Sequence, residues 1–179
     1  MGASATLAFA LLSLLFSFKI LHSRVMRKRA MNKASPQDLS VLSSAKQGLV
    51  YLTANDWVLM TDKATHMTFK TGDNLVQKGR RTHGLYLLLK GMAEVQLASQ
   101  GAPTLGPGEV CGEISFIDDL PATADVIAKT PVEAYYIDRP TLQSLFELFP
   151  HLGSRFYRSM ASSLSRRMRE LIAGAAAKK

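Results

Sequence analysis

The residues best placed to do chemistry lie between 111 and 126, in the stretch CGEISFIDDLPATADV. A Gly112-Glu113 pair opens it, a short helical turn can follow, and Pro121 precedes a strand-like segment. A loop that feeds the first turn of a helix points backbone N–H groups outward, and such groups attract anions. The chemistry this predicts is the holding of a phosphate. The side chains do not complete it: no Lys or Arg stands between Cys111 and Val126, while Glu113, Asp118, Asp119 and Asp125 add negative charge.

Other chemistries find less support. Cys111 is the single cysteine, so no internal disulfide can form, and one thiol with His22, His66, His83 and His151 shows no zinc-ligand spacing. Cys111 reads as a small buried hydrophobe. Asp118-Asp119 reads as a solvated turn, because hard-cation sites need more oxygen ligands than this pair supplies. Glu113 with Asp118 is too slight a basis for general acid–base work, and no Ser-His-Asp order is present. The chain is therefore not expected to be an enzyme, and no catalytic residue or metal ligand is assigned.

The elements that must position this stretch follow from patterning. SPQD at 35–38 and TAND at 53–56 are helix starts in which Ser35 and Thr53 cap and Asp38 and Asp56 answer. Gly48 is expected to end the first of these helices. From His66 to Asp138, short apolar runs (MTF, LVQ, LYLLL, AEVQL, ADVIA, VEAYYI) alternate with Gly-containing turns at spacings of about ten residues, which predicts an all-β barrel or sandwich. Thr123 is read as the start of one such strand. From Pro140 the period returns to that of a helix, broken at Phe149-Pro150. Beyond the break, Leu152, Phe156, Met160, Leu164, Met168 and Leu171 form one stripe and Arg155, Arg158, Arg166, Arg167 and Arg169 the polar, solvated side of a long helix ending near Gly174.

The net charge of +8 is uneven. Residues 1–37 hold six basic groups and no acid, whereas the other 142 hold 16 basic and 14 acidic groups. A nearly neutral globular part argues against a nucleic-acid surface over the whole domain. MGASATLAFALLSLLFSF at 1–18 carries no charge and, as a helix, would cover about 27 Å, just short of a bilayer core. The basic cluster RVMRKR at 24–29 follows, which favours a single-pass anchor over 1–22 with the domain on the cytoplasmic side of the membrane lipid bilayer. A cleaved signal peptide would place its positive charge first, an organelle transit peptide would be less apolar, and MGASAT matches only a loose myristoylation pattern. The organisation expected is an anchor at 1–22, a basic linker and short helix at 23–49, a domain at 50–172 and a tail at 173–179.

Several of these residues together resemble the cyclic nucleotide-binding domains of catabolite activators and protein-kinase regulatory subunits. They are Phe69-x-x-Gly72, Gly79, GLYLLLKG at 84–91, LGPGEVCGEISFI at 105–117 and the helical tail. The resemblance implies an α+β fold: a cyclic-nucleotide-binding-like antiparallel β-roll of jelly-roll type, flanked by N-terminal and C-terminal helices, with the N-terminal hydrophobic helix in addition. It implies a ligand site at Gly112, Glu113, Ile114, Ser115, Ala122 and Thr123, with cAMP or cGMP as the ligand. Glu113 would accept from the ribose 2′-hydroxyl, and the amides around Ile114 and Ser115 would face the phosphate. An Arg expected directly after the Pro is Ala122 here, although Thr123 retains a hydroxyl. Losing that charge-assisted bond, worth roughly 1.5–3 kcal/mol, weakens binding roughly ten- to several-hundredfold. The expectation is thus a membrane-anchored sensor or regulatory module with weak, altered or lost cyclic nucleotide binding. The alternative is a degenerate scaffold serving as a docking module. A homodimer or protein partner through the 151–172 helix is the further partner expected. Sequence-specific DNA binding is not, because no helix-turn-helix follows the long helix.

Overall fold

The computed structural model describes residues 27–28, 34–97 and 103–176. Two capped helices, α1 (Pro36–Ser44) and α2 (Ala54–Asp62), precede the main run of strands. At each start the hydroxyl accepts from the backbone N–H three residues on, and the acid at that position accepts from the cap's own N–H. Helix α1 stops at Ser44 rather than running to Gly48. Gly48 serves packing instead, since a Cβ there would lie 2.2 Å from the Gly108 carbonyl oxygen. Leu42 and Leu49 are buried with the main core, so the segment after residue 35 is part of the folded body.

Nine strands are described; the first lies in the stretch expected as a basic linker, and the other eight follow the Gly-punctuated pattern. The nine are β1 (Arg27–Lys28), β2 (Thr65–Phe69), β3 (Asn74–Val76), β4 (Gly84–Lys90), β5 (Ala93–Gln96), β6 (Thr104–Leu105), β7 (Val110–Cys111), β8 (Asp125–Ala128) and β9 (Val132–Asp138). They pair antiparallel in two sheets, ordered β1-β2-β9-β4-β7 and β3-β8-β5-β6. Strand β4 explains why the sheets close into a roll. Tyr86 and Leu88 face the roll interior with Phe69, Val126 and Ala134, while Leu85, Leu87 and Leu89 face the helices with Trp57, Met60 and Phe156. Both faces are covered, so the strand reads as a continuous apolar run rather than an alternating one.

Three helices complete the domain: α3 (Glu113–Asp118), α4 (Arg139–Leu148) and α5 (Pro150–Ala176). Asp138 caps α4, Pro140 sits in its first turn, and Phe149 ends it where Pro150 begins α5. The stripe on α5 divides in two. Leu152, Phe156 and Met160 belong to the core, so the domain itself takes this half. Leu164 is half-buried and Met168 is exposed, so the far half runs beyond the core and over the roll. The arginine side of α5 is not simply solvated, as the sequence suggested. Arg155 donates twice to the buried Asp56 carboxylate at 2.7 Å, and Arg166 donates to the Gln47 carbonyl at 3.0 Å.

The expected hydrophobic helix over 1–22 lies outside the described residues. Among the described helices none is long and apolar enough to cross a membrane.

Candidate ligand-binding pocket

Helix α3 starts from Gly112, whose φ of +88° is a left-handed value that other residues adopt at a cost. The site also leaves no room for a side chain, because a Cβ would stand 2.9 Å from the Gly84 carbonyl oxygen. No side chain caps this start, and the chain leaves α3 through Asp119, also left-handed at φ 57°. Two arginines hold the exit: Arg81 and Arg139 approach the Asp119 carboxylate at 3.3 and 3.5 Å. Arg139 also donates to the Ser115 carbonyl at 3.0 Å and lies over the Phe116 ring. Phe116 in turn meets Phe156 edge to face at 5.8 Å. The short helix is thereby fixed to both α4 and α5.

The loop after Pro121 closes back on the roll. The Ala122 N–H donates to the Arg80 carbonyl and the Gly79 N–H donates to the Ala122 carbonyl, both at 2.8 Å. Strand β8 begins beyond them, at Asp125 rather than at Thr123. Between this loop, α3 and the far half of α5 lies a cavity of about 530 Å³. Gly112, Glu113, Ile114, Ser115, Ala122 and Thr123 all line it. Asp118, Asp119 and Asp125 do not. Asp119 faces its two arginines, Asp118 accepts from the Leu120 N–H, and Asp125 accepts from the Lys78 N–H at 3.0 Å. These three aspartates therefore point away from the cavity.

The cassette is not without a cation. Arg167, 54 residues downstream of Glu113, reaches down from α5 and donates to the Glu113 carboxylate and, at 3.2 Å, to the Val110 carbonyl. Leu164, Met168 and Glu170 from the same helix line the cavity beside it. Burial pushes the Glu113 carboxyl above its ordinary range, and the Arg167 guanidinium holds it back. Cys111, on the cavity wall, is fully enclosed, and burial pushes its thiol far up, as suits an unreactive side chain. Sequence reading missed Arg167 because nothing in the helical period separates it from Arg166 or Arg169. The signal lay in the mismatch between a buried Glu113 and a cassette with no partner for it. Among the described residues no His, Cys, Asp and Glu cluster could hold a metal ion.

Comparison with known proteins agrees with this geometry. The family model described as "Cyclic nucleotide-binding domain" matches residues 66–148. The cyclic GMP-binding protein C of Dictyostelium discoideum is 27% identical over 125 residues, which are 67% of this chain but only 5% of that protein. A cyclic nucleotide-binding domain from Methylobacillus flagellatus superposes with a TM-score of 0.68 at 21% identity, covering 80% of this chain and 83% of that one. The Thermus thermophilus catabolite activator protein gives 0.58 at 24% identity, covering 70% and 59%. At such identities the structures establish a common fold, and the family match places the glycine-spaced strands and the cassette within it. Residues 66–148 match the cyclic nucleotide-binding domain family model, and the fold around them is the one these solved structures share.

Proposed function

We propose that the chain is a regulatory sensor module in which occupancy of the cavity beside Glu113 is passed on through α5, and that it binds cyclic nucleotides weakly. The observation that carries this reading is the placement of Arg167. One guanidinium links the helix that leaves the domain to the carboxylate that opens the cassette. A ligand contacting Glu113 competes with Arg167 for it, so ligand binding and the position of α5 are energetically linked. Weak affinity follows from Ala122, an uncharged residue at the position where the resemblance implies an Arg for the phosphate.

A titration of the full chain with cAMP and cGMP tests both parts. Ala122 is buried and lines the cavity, so Ala122→Arg brings a guanidinium into it. Cyclic AMP affinity is expected to rise by about tenfold or more, the equivalent of one charge-assisted bond. A well-folded variant with unchanged affinity would remove the cassette from consideration as a nucleotide site. The competing reading, a docking module without a small ligand, draws on Ile114, Ile117 and Leu120, which stand exposed on and after α3. It gains if neither wild type nor variant binds any nucleotide.

The uncharged segment 1–18 followed by the basic cluster at 24–29 supports a tether to the cytoplasmic face of a membrane. On this reading the full chain stays in the membrane fraction through an alkaline carbonate wash. Release into the supernatant would rule the tether out.

A further inference from the structure

The chemistry of the cavity wall speaks to the kind of molecule it takes. Apolar side chains make most of that wall, Val76, Val95, Leu105, Ala122, Val126 and Leu164 among them. Among the described lining residues the ionisable charges are one guanidinium, Arg167, against two carboxylates, Glu113 and Glu170. The guanidinium is already engaged by Glu113 and the Val110 carbonyl. An entering anion that paired with Arg167 would draw it away and leave a buried carboxylate without a partner, which is among the costlier events in a protein interior. An uncharged molecule disturbs none of these bonds and removes apolar wall from water. The volume, about 530 Å³, is in the range of small-molecule sites.

We infer that the physiological ligand of this cavity is an uncharged, predominantly apolar small molecule rather than a phosphate ester. Its body would sit against Val95, Leu105 and Val126, with Arg167 and Glu113 remaining paired at one wall. The inference rests on the sensor reading above, since it takes the same cavity to be a ligand site. It differs in the ligand class and in leaving the Arg167–Glu113 pair intact on binding. Occupancy would then steady the far half of α5 through Leu164 and Met168 instead of prising it away.

The test is photolabelling of the full chain with 3-trifluoromethyl-3-phenyldiazirine, a small neutral apolar probe, followed by peptide mapping. Label is expected on peptides carrying Val95, Leu105 or Leu164, with at least a fivefold loss in Ala124→Trp, which fills the cavity from the roll. Leu164→Trp fills it from the helix and should show the same loss, so a folding defect in one variant does not decide the matter. Excess neutral indole should protect these peptides at concentrations where cAMP, at micromolar levels, does not. Protection by micromolar cAMP would overturn the apolar class while leaving the sensor reading intact. Absence of label from these peptides, or equal labelling in wild type and both variants, would overturn the inference and count against any small ligand there.

Discussion

Phe156→Ala is expected to lower the free energy of unfolding by about 3–5 kcal/mol, the range for truncating a buried aromatic ring. Phe156 has no exposed surface. Its ring meets Phe116 of α3 at 5.8 Å and Phe146 of α4 at 5.0 Å, so three helices converge on one side chain. Alanine would leave a void lined by groups that strands β4 and β9 and the helices hold in place, and little collapse could fill it. The measurement is a urea midpoint at unchanged slope. Because α3 loses its backing, the variant should also loosen the cassette, giving faster amide exchange at Ser115 and Phe116 than the global loss of stability accounts for. A change below about 1 kcal/mol would mean that this aromatic cluster does not join the helices.

The second large effect belongs to Asp56. It is 2% exposed, closes the cap of α2 and receives both bonds from Arg155 of α5. Asp56→Ala should cost about 3 kcal/mol, the low end for breaking a buried pair, because Arg155 keeps part of its surface in water and is easily resolvated. The Arg155 guanidinium holds the Asp56 carboxyl below its ordinary range, against the opposing pull of burial. An unfolded Asp titrates near pH 3.9, roughly, so between that value and the lower folded one the unfolded chain binds more protons. The stabilisation is therefore complete above about pH 4 and is lost as pH falls through the folded value. Asp56→Asn should be less stable at neutral pH and should lose less on acidification than wild type. Parallel acid unfolding curves would show that the pair carries no such linkage.

How much of this was legible in the sequence depends on how local each signal is. Both capping boxes, the proline at the start of α1, the break at Phe149-Pro150 and most strand segments follow from neighbouring residues, and the structure has them. The six residues marked as a site sit around one cavity because the cassette is itself a local unit, a glycine turn leading to a short helix and a proline loop. What sequence could not supply were partnerships across the fold. Arg155 with Asp56 and Arg167 with Glu113 span 99 and 54 residues, and each looked like one more charge on a polar face. The same limit applies to Gly48. Its glycine reads as a helix stop, and only the approach of the Gly108 carbonyl reveals why no side chain fits. The acids of the loop were equally ambiguous, since composition gives their number and not their direction.

That α5 closes the cavity by setting Arg167 on Glu113 can be read directly from the Glu113 carboxyl. A carbon-13 NMR titration of side-chain carboxyls in the full chain, assigned with Glu113→Gln, would compare wild type with Arg167→Met, which keeps the apolar stem and removes the charge. With burial retained and the guanidinium gone, Glu113 is expected to titrate at higher pH in the variant than in wild type. An identical midpoint in the two proteins would contradict the account, because it would place Arg167 away from the carboxylate it is held to secure.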